Sequence, residues 1–359
     1  MSSLKTPRRL LYGMNRWFHL LTFSFLICTV SSARAQQIYR WVDEKGTVHY
    51  SHQPPLKKVP RSLDTLPFAE SPQQTEASGP AKTNLLPFGK GLLWQIHTPP
   101  PQADLVTPSY IFGTIHSEDS RVLQLPLAVQ EALAQSKNFC MELLPDMTST
   151  ATLTQSMMYT NGQNLQTVIG QPLFDQLAPL MGKRGVPSQA LMFLKPWAVY
   201  MTLSMPQAKT GVFLDLLLYE TAKKQGKPVC GLETAEEQVQ VFENTAIDDQ
   251  ILLLRQLVKN PQAVAEQIAR MIPLYLDRDL AELVAISTEQ ELATEREKRS
   301  VEAFLKRLVD ERNLKMVERM TSRLGEGSAF IAVGALHLPG QQGILQALTD
   351  RGYTVSVVY

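Results

Sequence analysis

Cysteine is nearly absent from this chain of 359 residues: Cys28, Cys140 and Cys230 are the whole set. None stands in a C-x-x-C pair, which excludes a cysteine zinc site and a dithiol redox motif of that type. Three catalytic signatures are also missing: the phosphate loop, the H-E-x-x-H metal helix and the G-x-S-x-G nucleophile elbow. No excess of one charge is present either. The 35 Lys and Arg nearly balance the 34 Asp and Glu, for a formal charge of +1. That balance argues against nucleic acid as a partner. What is there is enough apolar material for a buried core, with 44% hydrophobic and 19% charged residues.

The first 35 residues read as an export signal. Lys5, Arg8, Arg9 and Arg16 form a basic leader, Trp17 to Val30 is mostly apolar, and Ala33-Arg34-Ala35 is an A-x-A cleavage site. The apolar stretch is short for a membrane span. We therefore expect cleavage after Ala35 and a periplasmic or secreted protein with no transmembrane segment left. The alternative is an uncleaved anchor. Cleavage removes five basic and no acidic residues, leaving 30 basic against 34 acidic.

Two short alternating runs, Ile38–Val42 and Thr47–Ser51, flank Asp43-Glu44-Lys45-Gly46 and predict a β-hairpin within a small module at 36–55. Tyr39, Trp41, Val42, Asp43, Gly46, His49, Tyr50 and Pro54-Pro55 resemble a small domain of unknown function found after the signal in exported bacterial proteins. His49 and His52 have a spacing that suits a metal, but also that of exposed hairpin residues. Residues 56–84, rich in Pro, Ser, Gln, Lys and Thr, read as a linker.

The main domain is expected over 85–359. Strands are predicted at Leu92–His97, Tyr110–Ile115, Asn138–Leu144, Lys227–Leu232, Ser328–His337 and Tyr353–Tyr359. Residues 149–222 and 248–324 read as helical. Thr234, with Glu237 three residues later, forms a capping box that opens the next helix. Strands thus cluster at both ends of the domain around a helical middle. The expected class is α/β: a mixed central sheet built from the two ends, with a large helical insertion.

The most informative pattern occurs twice. Residues 110–117 read Y-I-F-G-T-I-H-S and residues 330–338 read F-I-A-V-G-A-L-H-L, each an apolar run followed by Gly-x-x-His. Ligands of open α/β sheets sit beyond the carboxyl ends of strands. Closing the sheet would therefore bring His116 and His337 to one site. Each glycine would leave room beside its imidazole. Glu142 and Glu233 also follow strands. Two imidazoles and a carboxylate suit a divalent transition metal with open positions for water. A second glutamate, Glu233, would then serve as general base. Taken singly, each residue also reads as a polar strand-end group, and Glu233 as a favourable charge at a helix N-terminus. Cys140 and Cys230, each shortly before one of these glutamates, read either as two small core residues or as one disulfide.

The ordered set Gly113-Thr114-Ile115-His116, Glu142, Lys195-Pro196-Trp197, Asp215 in G-V-F-L-D-L-L-L, G-K-P-V-C-G-L-E-T-A-E-E-Q at 226–238, Arg312-Asn313 and V-G-A-L-H-L-P-G at 333–340 resembles the TraB/GumN family. That family is related to the Tiki proteases. The resemblance implies an active centre at His116, Glu142 and His337, holding Mn, Co or Zn. It also implies a polar role for Arg312, whose rigid fork of donors suits a substrate carboxylate or an oxyanion. Leu336 stands where the family often has glycine, which would narrow the pocket. The expected function is metal-dependent hydrolysis of a peptide or amide bond. The alternative is a non-catalytic binding or regulatory protein that captures a peptide or a metal-bearing ligand in the same cleft.

Overall fold

The computed structural model describes residues 39–42, 48–51, 86–100, 106–289 and 294–359. The expected signal peptide and the linker lie outside these residues. Contacts divide the chain into two compact units. The smaller holds the hairpin, with β1 (Tyr39–Val42) antiparallel to β2 (Val48–Ser51) and Tyr39 opposite Ser51.

The larger unit is built on a six-stranded mixed sheet. Its strands are β3 (Leu93–His97), β4 (Ser109–Thr114), β5 (Asn138–Met141), β6 (Val229–Gly231), β7 (Ala329–Gly334) and β8 (Thr354–Val357). Their spatial order is β6-β5-β7-β4-β3-β8. The expected closure of the two chain ends is therefore present. β7, from the end of the chain, inserts between β4 and β5 and runs parallel to both. Its sequence A-F-I-A-V-G is apolar throughout, and its first five residues are buried. A strand covered on both faces needs that continuous run.

β3 pairs antiparallel with β4, and β8 adds antiparallel to β3 at one edge. β5 and β6 are parallel, and Cys140 lies directly opposite Cys230. The two sulfurs are bonded, with Cα atoms 4.5 Å apart, within the range a disulfide spans. This decides between the two readings of these cysteines, although Cys140 is also fully buried in the core.

The helical middle has an apolar core of its own, including Leu165, Leu177, Met181, Leu191, Trp197 and Phe242. The 248–324 region is not continuous. It breaks into helices Ile247–Lys259, Ala263–Leu276, Leu280–Thr288, Glu295–Leu305 and Glu311–Glu326. The capping box at Thr234 and Glu237 forms as expected on the helix Ala235–Glu243.

Candidate functional site

Parallel strands fix which residues share an edge. Thr114 pairs with Gly334, Met141 with Ala332 and Gly231 with Met141. The carboxyl ends of β4, β7, β5 and β6 therefore form one rim. His116, His337, Glu142 and Glu233 follow those ends by one to three residues, so all four stand on it. His337 does not extend its strand. After Gly334 the chain turns through a short 3₁₀ helix, Ala335–His337, which places the imidazole beside Glu142.

The glycines act differently from the symmetric expectation. A Cβ on Gly334 would lie 3.1 Å from Glu142 Oε1 and 3.4 Å from His337 Cδ2. This glycine does make room beside its histidine. A Cβ on Gly113 would instead meet Leu338 Cδ1 at 2.8 Å and Ala335 Cα at 3.1 Å. Gly113 admits the other motif, not its own His116. Leu336 packs in part against the sheet core.

Each imidazole is held through Nδ1. His116 Nδ1 lies 2.7 Å from Asp215 Oδ2. Asp215 Oδ1 accepts from the Thr114 hydroxyl at 2.5 Å. Asp215 itself is buried, in the first turn of the helix Leu214–Lys224. The Asp215 carboxylate raises His116 to about 9 against the opposing effect of burial, although the side chain is 54% exposed and solvent weakens the pairing. His337 Nδ1 lies 2.6 Å from Asn313 Oδ1. The Asn313 amide donates to the Gln342 carbonyl at 2.8 Å, which fixes its orientation. Burial lowers His337 to about 4, with Glu142 opposing. His337 is therefore neutral at pH 7, with its proton on Nδ1. Its Nε2 lone pair faces Glu142 Oε1 at 3.7 Å.

The carboxylates are tied to one guanidinium. Arg312 Nη2 donates to Glu142 Oε2 and to Glu233 Oε2, both at 2.6 Å. Arg312 Nε reaches Glu233 Oε1 at 2.9 Å. Glu142 Oε1 accepts from the Gly334 amide at 2.6 Å. Burial alone would raise Glu142, but Arg312, His337 and the Gly334 amide together hold it at about 2. Arg312 is 12% exposed, so its role is not that of a helix-surface charge. Glu233, 1% exposed, spends both oxygens on Arg312 and also accepts from Gln238 at 3.2 Å. It is placed as an anchor for the guanidinium, and the position suits a solvent-facing base poorly. Arg312 spends its Nε and both Nη atoms inside the protein, on Glu233, Glu142 and the Leu308 carbonyl, rather than on an open substrate position.

Metal-ligating histidines commonly give their other ring N–H to a carboxylate or carbonyl oxygen. His116 on Asp215 and His337 on Asn313 both follow that pattern, and each presents Nε2. The donor types therefore fit a divalent ion. Among the described residues, no group of three or more His, Cys, Asp and Glu closes into a ready-made cage. The functional partners that sequence reasoning left without a role are Asp215 and Asn313. The available signal was an aspartate in an otherwise apolar first stretch of its helix, L-D-L-L-L, which is a costly residue to bury unpaired.

The model of the TraB/PrgY/gumN family matches residues 92–357. A second family model, a domain of unknown function (DUF4124), matches residues 25–78. Metalloprotease TIKI2 of Danio rerio is 25% identical over 315 residues, 73% of this chain and 60% of that protein. Metalloprotease TIKI1 of Homo sapiens is 26% identical over 336 residues, 78% of this chain and 65% of that protein. The chain thus spans about three fifths of the length of these curated relatives. No solved structure matches it. The paired Gly-x-x-His strand ends and the match across nearly the whole larger unit place this chain in the TraB/PrgY/gumN family.

Proposed function

We propose that this chain is an exported metal-dependent hydrolase of peptide or amide bonds, with the ion held by His116, Glu142 and His337. The observation that carries the reading is the pair of imidazoles on one rim, each held at Nδ1 and each presenting Nε2. A divalent transition metal, Mn, Co or Zn, would supply Lewis acidity and a water of lowered pKa. The protein's own residues do the rest. Asp215 and Asn313 set the ring orientations. Arg312 keeps Glu142 ionised, so that it remains a ligand at neutral pH. Glu233 holds Arg312 in place. The metalloprotease names of the relatives support this class of reaction.

Export is supported by the A-x-A signal and by the Cys140–Cys230 bridge, which suits an oxidising compartment. No helix among the described residues is long and apolar enough to cross a membrane.

One observation favours the rival reading of a non-catalytic protein that captures a peptide or metal-bearing ligand. Glu233 and Arg312 satisfy each other internally, so Glu233 is not a free general base and Arg312 is not a free donor to an oxyanion. The deciding experiment incubates the mature chain with a mixed peptide pool and follows products by mass spectrometry. Turnover that a chelator stops and Mn, Co or Zn restores supports hydrolysis. Stoichiometric peptide binding without product supports the rival.

A further inference from the structure

The Lys195-Pro196-Trp197 motif takes no part in the imidazole rim. It opens the helix Pro196–Ser204 in the helical insertion, and its two polar side chains converge on one oxygen. Lys195 Nζ donates to Glu243 Oε1 at 2.7 Å, and Trp197 Nε1 donates to the same atom at 2.9 Å. The indole is fixed by stacking on Phe242, with ring centres 5.2 Å apart. Beside this group is a cavity of about 230 Å³, also lined by Tyr159, Asn161 and Ile247.

The chemistry of the lining is specific. Lys195 and Glu243 cancel in charge. Both bonds fall on Oε1, which leaves Oε2 to accept from a ligand, and an ammonium has two further donors. Burial and the Glu243 carboxylate push the Tyr159 phenol up, so it remains a donor at neutral pH. A carboxylate that served only to staple Trp197 would be enclosed. Here Glu243 is 39% exposed and Lys195 is 24% exposed. The cavity is smaller than the roughly 300 Å³ at which pockets begin to enclose a whole drug-sized ligand. It suits one residue-sized group.

We propose that this cavity is a binding subsite for one uncharged, hydrogen-bonding residue of an extended polypeptide, a side-chain carboxamide in particular. The inference rests on the reading of the chain as a peptide hydrolase and names where its substrate is gripped. Glu243 ends the helix Ala235–Glu243, and Glu233 stands just before that helix begins. The nine residues of this helix separate the two sites by about 14 Å. An extended peptide covers that in about five residues at roughly 3.3 Å each. A substrate engaging both sites would therefore be at least about five residues long.

The test titrates the full mature chain with N-acetylglutamine N-methylamide and follows the tryptophan indole N–H resonances by NMR. The Trp197 signal should shift saturably. The Trp94 signal, whose Nε1 donates to the Gly91 carbonyl elsewhere, should not. Ile247 is 44% exposed, so Ile247→Tyr should block the cavity and abolish the shift, with Asn161→Tyr as an independent block. The corresponding glutamate and lysine derivatives should bind at least about tenfold more weakly, because each brings a net charge that the mutually neutralised Lys195–Glu243 pair does not balance. No saturable shift, the same shift in both blocked variants, or equal binding of a charged derivative would overturn the proposal. His116→Ala should bind the probe unchanged. A failed titration therefore sinks the subsite and leaves hydrolysis to its own test.

Discussion

Replacing Arg312 with methionine removes the guanidinium but keeps most of the aliphatic stem. It leaves Glu142 and Glu233, 18% and 1% exposed, without their shared cation. Removing one partner of a buried ion pair costs about 3–5 kcal/mol. A second route gives a similar figure. Glu142 is held at about 2 against an ordinary 4.5, which corresponds to about 3 kcal/mol of stability at pH 7. Arg312 is the largest of the causes that lower it. The unfolding temperature should therefore fall by roughly 6–20 °C, at about 3–5 kcal/mol and roughly 2–4 °C per kcal/mol.

The pH dependence separates this account from simple loss of packing. In the native chain the depressed Glu142 contributes stability above pH 4.5, and this is lost as pH falls from 4.5 towards 2. In Arg312→Met, burial raises Glu142 instead, and the variant loses stability as pH rises through 4.5. The gap between the two proteins is therefore widest at neutral pH and narrows in acid. Urea unfolding of chelator-treated protein at pH 7 and pH 3 measures it. A gap below about 1 kcal/mol at pH 7, the size of an exposed pair, would show that Arg312 does not hold the buried carboxylates. So would a gap that does not narrow at pH 3.

Asp215→Asn removes the charge and keeps a single acceptor oxygen, enough for His116 or Thr114 but not for both. His116 should then titrate near its ordinary value and not at about 9, read from its ring resonances in metal-free protein. The stability that His116 contributes below pH 6.5 and loses between 6.5 and 9 should vanish with it. Cys230→Ser opens a bridge that spans 90 residues and should cost up to about 4–5 kcal/mol. Reduction of the native chain should match that loss, and two free thiols in unfolded, unreduced protein would contradict the bridge. Mass analysis of envelope protein should find a chain beginning at Gln36, whereas an intact Met1 would support an anchor.

The sheet was legible because its signals are local. Apolar strand-like runs lie at both ends of the domain around a middle that reads as helical, which leaves those runs no strand partners except each other. The shared rim followed from the same closure, since β4 and β7 both end in Gly-x-x-His. The side-chain pairings were not legible. Asp215 and Asn313 come from helices about 100 and 24 positions away from the histidines they hold. No periodicity encodes which helix docks on which strand end. Glu233 shows the same limit. Its position after β6 suggested a base, but Arg312, 79 residues later, takes both its oxygens. The single-residue logic of Gly113 failed for a related reason, because its neighbour proved to be the second motif and not the next turn of its own chain.

One ion is expected to be shared by the two Gly-x-x-His ends. Metal content per chain, measured on purified protein reloaded with Mn, Co or Zn, tests it most directly when compared with His116→Ala and His337→Ala. The expected result is about one bound ion per native chain and essentially none in either variant, because removing one of three protein ligands leaves an incomplete set. Retention of the ion in either variant, with the fold intact, would contradict it.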